Sequence, residues 1–444
     1  MKQRTYTEGS IPEHVAHLSA VMIWGFLAMT LGQLIEIVYV GQLGTQAVAA
    51  LTFMFPISMT LNAFTRGIGI GASSLVAQAM GASASERLRR IISHCYLIIV
   101  IMTVTVSIIG IWLASPILGR LGAAPDVLPL AAQYAEIWFL GFPAMGLAMV
   151  SNGIIRSYGD ASYPGYIMTI APLIQVTLGP ILIFGLGPVP ALGLDGAAWS
   201  FVCGSSAQLL LAAYWYFIKA QLVPTSLHQL LDSTRQIMHV GLPAAATNLL
   251  QPVSLAISTY LLASFGTEVI AGFGVAGRIE SVVGMVAIGI STSIIPVVGQ
   301  NWGAGLFDRA RLAIRTCYLA CIAWGVSAAT LMWFGAAYFV GLITSDAQAA
   351  SVSEQYLHIV PLSIGFMGIL TVANHGFNAI RRPTPALVLS IARLIAIYLP
   401  LAIIASEMFG FLGIFWAIAL ANLIAGLAAA AWFRHLFDRL ATER

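Results

Sequence analysis

Charged residues are scarce in this sequence. Lys, Arg, Asp and Glu make up 8% of its 444 positions, and hydrophobic residues make up 59%. A soluble protein usually carries about 25% charged residues. Because so few charges cannot cover a water-facing surface, most of the exterior is expected to face lipid. The scarcity excludes a soluble globular protein, and a net charge of only +3 gives no indication of a nucleic-acid partner.

Lysine is rarer still, since the chain has only Lys2 and Lys219. ATP hydrolysis needs a glycine-rich phosphate-binding loop with a lysine, and neither lysine follows such a turn. The alternating glycines of 67–71 lie within an apolar run, where close helix packing is the simpler interpretation. We recognise no HExxH pattern and no Ser-His-Asp grouping. The sequence therefore predicts no catalytic residues and no enzyme activity, and it leaves an ion gradient as the energy source.

Cysteine gives no indication of a disulfide framework or a metal site. All four cysteines fall within apolar runs, at Cys95, Cys203, Cys317 and Cys321. Cysteine in such surroundings mostly acts as a small packing residue. We expect neither a metal centre nor an organic cofactor. Residues 1–17 carry charges and no apolar core, which excludes a cleavable signal peptide and predicts a cytoplasmic N-terminal segment.

Apolar runs long enough to cross a membrane, at about 20 residues each, recur along the whole chain. The predicted spans are 18–40, 46–79, 91–114, 128–155, 165–187, 193–218, 237–264, 268–300, 314–341, 355–380, 386–406 and 412–433. If both termini are cytoplasmic, every basic residue but four falls in a cytoplasmic segment or, like Arg315, at the cytoplasmic end of a span. The exceptions are Arg66, Arg278 and Arg393 within spans, and Arg120 outside. Positive charge resists translocation, so this asymmetry predicts a multi-pass protein of the plasma (cell inner) membrane with cytoplasmic N- and C-termini.

The two halves of the chain repeat one another at an offset of 222 residues. The matches run in order: Gly67 with Gly289, Gln78 with Gln300, Gly81 with Gly303, Arg87 with Arg309, and Tyr134 with Tyr356. Because six spans is an even number, the halves are parallel repeats, which enclose a central cavity. The predicted fold is an all-α membrane protein with twelve transmembrane helices, in two parallel six-helix repeats around a central cleft.

The predicted organisation follows from this repeat. It comprises the segment 1–17, an N-lobe 18–218, a cytoplasmic linker 219–236, a C-lobe 237–433 and a cytoplasmic tail 434–444. Two lobes beside a cleft suit alternating access, which favours a transporter working as a monomer in the lipid bilayer. The long spans 46–79 and 268–300 each end near a glycine, which is expected to stop the helix.

Glu36 is the most informative charge within a span. It lies about 12 Å along its helix from the turn near Gly44. One interpretation is a glutamate that reaches the outer interface. The other is a carboxylate whose charged form is disfavoured by burial, so that it exchanges a proton. Arg66 lies about 33 Å from the same turn and is not its partner.

A possible charge network in the second half comprises Arg278, Glu280 and Arg393. The first two lie about 18 and 21 Å from the turn at Gly266, and Arg393 enters its span to a comparable depth. Residues two apart on a helix do not face one another. We expect a structural pairing of Glu280 with Arg393, with ion coupling or substrate contact as the alternatives.

Several sequence runs together carry a resemblance to a known family: 36–44, 67–73, 78–82, 183–187, 192–193, 196–198, 241–243, 278–281 and 299–305. They resemble the multidrug and toxic compound extrusion (MATE) family of the MOP flippase superfamily, and the last two runs resemble its DinF-like branch in particular. The resemblance implies a cation–drug antiporter that exports amphipathic, often cationic compounds. It also points to Glu36 as the coupling site, where the family usually has an aspartate.

Departures from the family pattern bear on the coupling ion. An Asn and an Asp of the fifth span align with Gln175 and Gly179, and an acid of the seventh span appears as Gln251. Sodium prefers about six oxygen ligands, which favours H⁺ over Na⁺. The possible substrate or cation pocket comprises Gln33, Tyr39, Met54, Gln175 and Ser200.

Three other functions remain open. The first is a lipid or lipid-linked precursor flippase of the same superfamily, which would be expected to line its cavity with more cationic residues. A Na⁺-coupled drug antiporter is the second. A membrane receptor without transport is the third, and it predicts ligand binding that does not depend on an ion gradient.

Overall fold

The computed structural model describes residues 5–222 and 227–443, and it is built of α-helices. Twelve of these are long and apolar enough to cross a membrane, which confirms the predicted count. They are α1 Ile11–Gly41, α2 Thr45–Gly81, α3 Ser85–Arg120, α4 Leu128–Tyr158, α5 Tyr163–Phe184, α6 Leu194–Lys219, α7 Leu230–Ala263, α8 Thr267–Gly303, α9 Phe307–Gly341, α10 Ala347–Ala379, α11 Thr384–Phe409 and α12 Phe411–Thr442.

Some helices extend beyond the predicted spans. Helix α1 begins at Ile11, α7 begins at Leu230, and α12 ends at Thr442. Hydropathy detects only the apolar part of a helix, whereas the backbone hydrogen bonds continue through polar turns. Residues 1–4 of the predicted N-terminal segment, 223–226 of the linker and 444 of the tail lie outside the described residues.

The 222-residue repeat is visible in the helix bounds. Helices α2 and α8 each contain 37 residues, and both of their ends differ by this offset. They end at Gly81 and Gly303, as predicted. However, the left-handed residue that completes each stop comes two positions later, at Ser83 (φ 53°) and Gly305 (φ 75°). One repeat thus places a serine where the other uses a glycine.

Contacts divide the chain into two compact units. Unit 1 contains Trp24–Ala245, and unit 2 contains the described residues up to Ile23 together with those from Ala246 onward. The two crossing points, after Ile23 and after Ala245, are again 222 residues apart. Each unit therefore includes the N-terminal part of a helix whose remainder belongs to the other unit. These bounds differ from the predicted lobes 18–218 and 237–433 at α1 and α7.

Glycines permit the close approach of these helix segments within each unit. In unit 1, a Cβ built on Gly67 would lie 2.5 Å from both the Ala245 Cβ and the Gly241 carbonyl oxygen. In unit 2, a Cβ on Gly289 would lie 2.5 Å from the Ile23 Cγ1. The glycines are thus packing positions in two equivalent helix crossings, which confirms the interpretation of 67–71 as a packing motif.

The N-terminal segment is fixed to unit 2 by polar contacts. The Tyr6 backbone N–H donates to the Gln300 Oε1 at 2.8 Å, and the Asn301 side chain donates to the Tyr6 carbonyl at 3.0 Å. Arg309 donates to the Gly9 carbonyl at 2.9 Å and to Asn301 at 3.1 Å. Since Tyr6, Gln300 and Asn301 are all buried, the segment is an integral part of this unit.

Candidate functional site

Glu36 lies in the part of α1 that belongs to unit 1, and its side chain is half-buried. Among the described residues, it has no ion-pair or hydrogen-bond partner. Its charge acts on Tyr134 of α4, a residue that is only 4% exposed. The carboxylate therefore lies beside the interior of its unit, without a compensating cation in the described chain.

The interior around Tyr134, on which the Glu36 charge acts, is apolar and aromatic. Tyr134 belongs to a buried cluster that also contains Met54 and Trp138. The Trp138 ring stacks on Phe142, at 5.6 Å between ring centroids, and on Phe201, at 5.3 Å. A charged carboxylate is poorly stabilised beside such a cluster, so the site favours uptake of a proton or of a cation.

The structure brings some of the predicted pocket residues together. The Tyr39 hydroxyl donates to the Val176 carbonyl on α5 at 3.4 Å. A Cβ built on Gly179 would lie 3.8 Å from the Ser200 Oγ and 3.8 Å from the Tyr39 ring. Tyr39 and Ser200 thus both lie close to Gly179, and a small side chain would fit at this position.

The other pocket residues are placed differently. Met54 is buried in the aromatic cluster, and Tyr39 packs against that cluster. Gln175 is half-buried on α5, whereas Gln33 is exposed on α1. The buried Ser200 hydroxyl donates to the Ala197 carbonyl of its own helix at 2.8 Å. The role of these five residues as a pocket stays a prediction.

A second acid lies within unit 2. Tyr356 of α10 donates a hydrogen bond to Glu280 of α8 at 2.5 Å. Arg393 of α11 interacts electrostatically with Glu280, but no ion pair within 4.0 Å joins these two described residues. Instead, Arg393 donates to Asn422 of α12 at 2.8 Å, and Asn422 donates to Ser363 at 3.0 Å.

The predicted charge network is thus only partly assembled. Glu280 and Arg393 share one cluster, yet each makes its hydrogen bond to a neutral side chain rather than to the other. Arg278 is exposed, and its side chain has no ion pair or hydrogen bond among the described residues. It lies two positions before Glu280 on the helix, which turns it to a different face.

The two tyrosines were not expected to be part of a site. Tyr134 and Tyr356 occupy equivalent positions in the 222-residue repeat; Tyr134 interacts electrostatically with Glu36, and Tyr356 donates a hydrogen bond to Glu280. The sequence contained a signal for them, because Gln133-Tyr134 matches Gln355-Tyr356 in the repeat register. The signal was ambiguous, because tyrosine in an apolar span is usually a packing residue.

Comparison with known proteins identifies the family. A model of the MatE family matches residues 22–181 and 243–404. The chain is 30% identical to a protein named FAD transporter from Shewanella oneidensis, over 93% of this chain and 92% of that protein. It is 27% identical to the probable multidrug resistance protein YoeA from Bacillus subtilis, over 85% and 83% of the two chains.

A solved structure agrees with the fold. The Vibrio cholerae MATE transporter VcmN in its bent form is 26% identical, with a TM-score of 0.91 over 97% of both chains. Assignment to the DinF-like branch stays a prediction. With its twelve apolar helices, and with this likeness along almost its whole length, the chain belongs to the MATE family of multi-pass membrane transporters and is not an enzyme.

Proposed function

We propose that the protein is a proton-coupled exporter of amphipathic, often cationic small molecules, with Glu36 as the protonation site. The observation that carries this proposal is a carboxylate at a buried aromatic cluster, with no cation paired to it in the described chain. The name of the Bacillus subtilis relative, a probable multidrug resistance protein, supports drug export.

The proposed cycle follows from the two charge states of Glu36. The ionised carboxylate favours a bound cation, and the protonated carboxyl does not. Uptake of a proton from outside therefore releases the substrate outward by alternating access. Release of the proton to the inside restores the negative charge, and a new substrate binds. One proton enters for each substrate that leaves through this site.

The proposal of H⁺ as the coupling ion rests on the small number of candidate ligands near Glu36. No group of three or more His, Cys, Asp or Glu side chains suited to a metal ion occurs among the described residues. Gly179 and Gln175 occupy the places where the family often has an Asp and an Asn. A single carboxylate is sufficient for a proton, whereas sodium prefers about six oxygen ligands.

The test is ethidium efflux in everted vesicles, with proton and sodium gradients imposed separately. We expect Glu36→Gln to insert normally and to lose proton-driven efflux, because the amide keeps the size of the side chain and cannot take up a proton. Glu13→Gln is the matched control, since Glu13 is exposed in the first turn of the same helix. Efflux at the wild-type rate by Glu36→Gln would refute the assignment, and efflux driven only by sodium would refute proton coupling.

A second candidate is export of an anionic flavin dinucleotide. The relative named FAD transporter, at 30% identity, favours it. Arg278 adds a positive charge that is exposed on a membrane-spanning helix, and such a charge is costly against lipid. Inhibition of ethidium efflux by FAD in the same vesicles, together with its loss in Arg278→Gln, would support this candidate. FAD without effect on efflux would argue against it.

A further inference from the structure

The cluster around Glu280 has features that a purely structural ion pair would lack. In a structural pair, Glu280 and Arg393 would contact one another directly, because each charge is best compensated by the other. Here Arg393 is held by Asn422, and among the described residues the Glu280 carboxylate accepts a single hydrogen bond, from Tyr356. The charge of Glu280 is therefore compensated only in part.

The groups that act on Glu280 come from two neighbouring helices. Helix α10 provides Tyr356, and α11 provides Arg393. Tyr398 of α11 interacts with these two residues. The remaining contacts of Tyr356 are apolar, since its ring packs edge-on against Phe273 and Phe415. Apart from Arg393, the groups that act on this carboxylate are neutral.

Two irregular helix segments meet at this cluster. Arg393 and Tyr398 lie on a π-helical stretch of α11, Ala392–Tyr398. Ser363, which accepts from Asn422, ends a 3₁₀ stretch of α10, Val360–Ser363. Interruptions of this kind leave the backbone less constrained and often occur at functional sites. The cluster thus has the means to rearrange when its charge changes.

The repeat relates this cluster to the Glu36 site. Tyr134 and Tyr356 are equivalent, but the glutamates beside them are not. The equivalent of Glu36 is Ser258, which shares a 2.6 Å hydrogen bond with Tyr398, and the equivalent of Glu280 is Ser58. In each unit, therefore, one carboxylate interacts with the equivalent tyrosine, by charge in unit 1 and by a hydrogen bond in unit 2, and the two carboxylates come from different helices. A carboxylate that interacts with the equivalent tyrosine in both units, but comes from different helices, is unexpected for residues that serve packing alone.

We infer that Glu280 is a second proton-binding site, which takes up and releases a proton in the same cycle as Glu36; this inference rests on the proposed function. The step adds one proton from water to the Glu280 carboxylate and gives a neutral carboxylic acid. Tyr356 keeps its own proton and changes from hydrogen-bond donor to acceptor. The net charge of the cluster rises by one, to that of Arg393 alone.

Proton counting tests the inference. We would measure the dissociation constant of ethidium for the purified full-length protein across pH values, since its logarithm changes with pH by the number of protons released on binding. A limiting slope of about two is expected for the wild type, and of about one for Glu280→Gln. Glu407→Gln, an exposed carboxylate of the same unit, should keep a slope of about two.

Two further variants distinguish a failure of this inference from a failure of the proposed function. Glu36→Gln should also give a slope of about one; if it keeps two, the proposed function fails and not this inference. Tyr356→Phe should keep both protons and move the pH profile upward, because the charged form of Glu280 loses the hydrogen bond that Tyr356 donates. A wild-type slope in Glu280→Gln, or an unchanged profile in Tyr356→Phe with lower stability alone, would overturn the inference.

Discussion

At the scale of single residues, Asp160 shows how a polar cluster stabilises a connection between helices. It lies between α4 and α5 and accepts hydrogen bonds from Lys219 at 2.8 Å, from Trp215 at 3.1 Å and from the Tyr163 backbone N–H at 3.1 Å. Partial burial raises the pKa of Asp160, but these hydrogen bonds and the Lys219 charge outweigh it and hold the pKa below its usual value.

The lowered pKa of Asp160 predicts a pH dependence of stability. A carboxyl group with a lower pKa in the folded state stabilises the protein above its unfolded pKa of about 4, and this contribution is lost as the pH falls below that value. Asp160→Asn should lower the free energy of unfolding by about 1 kcal/mol at pH 7, and by much less at pH 3. Thermal unfolding at both pH values measures this, and an equal loss at both would contradict it.

Not every residue of the site was predictable to the same degree. Glu36 was identifiable because an acid within an apolar span is rare and costly. The partners of Glu280 and Arg393 were not, since the sequence does not specify the helix rotation that directs Tyr356 and Asn422 towards them. The opposite charges of Glu280 and Arg393 suggested a direct ion pair. In the structure, however, each forms a hydrogen bond with a neutral side chain.

At the scale of helices, the ends of α2 and α8 differ in one informative residue. Both carry the same pattern of terminal hydrogen bonds, with Ala84 N–H bonded to the Ala79 carbonyl and Leu306 N–H bonded to the Asn301 carbonyl. The left-handed position within this pattern is Ser83 in one and Gly305 in the other. A left-handed backbone costs a residue with a Cβ about 1 kcal/mol or more.

Exchange of these two residues should have opposite effects. Ser83→Gly should raise the free energy of unfolding by about 1 kcal/mol, and Gly305→Ser should lower it by a similar amount. No atom lies within 4 Å of a Cβ built on Gly305, so the change reports backbone conformation and not a clash. Thermal unfolding in detergent measures both, and a shift of the same sign in both would contradict the prediction.

The glycines within α2 are not equivalent either. A Cβ on Gly67 would collide with α7, whereas one on Gly69 would lie 3.6 Å from the Val150 side chain, in ordinary contact. Gly67→Ala should therefore lower the free energy of unfolding by about 1–3 kcal/mol. Gly69→Ala should be neutral or should raise it by up to about 1 kcal/mol. Equal effects of the two changes on thermal unfolding would disprove a packing role for Gly67.

At the scale of the whole molecule, the apolar runs predicted the helix count and the repeat predicted two equivalent halves, but neither predicted where each unit begins. Hydropathy and charge locate whole spans, so the predicted lobes contained whole helices. Which neighbours a helix contacts depends on glycine contacts such as Gly289 with Ile23, which composition does not encode. The crossing points within α1 and α7 therefore became apparent only from the contacts.

These crossing points predict the behaviour of a divided chain. Fragments 1–222 and 223–444 should not be stable when expressed separately, because each lacks a helix segment that completes its unit. Co-expression should restore a complex with ethidium efflux. Recovery of both fragments from the membrane, followed by protease resistance and efflux assays, measures this. A protease-resistant fragment 1–222 on its own would contradict the prediction.

The same exchange of helix segments sets an order of events during synthesis on the ribosome. Residues 5–23 emerge before the rest of the described chain, yet the unit that incorporates them is completed only after α12 has been made. Unit 1 in turn remains incomplete until translation passes Ala245. The nascent chain must therefore hold its first helix segment unassembled in the bilayer for almost the full period of elongation. Residues 5–23 are then made before the other described residues of unit 2 and are among the last to contact their native neighbours.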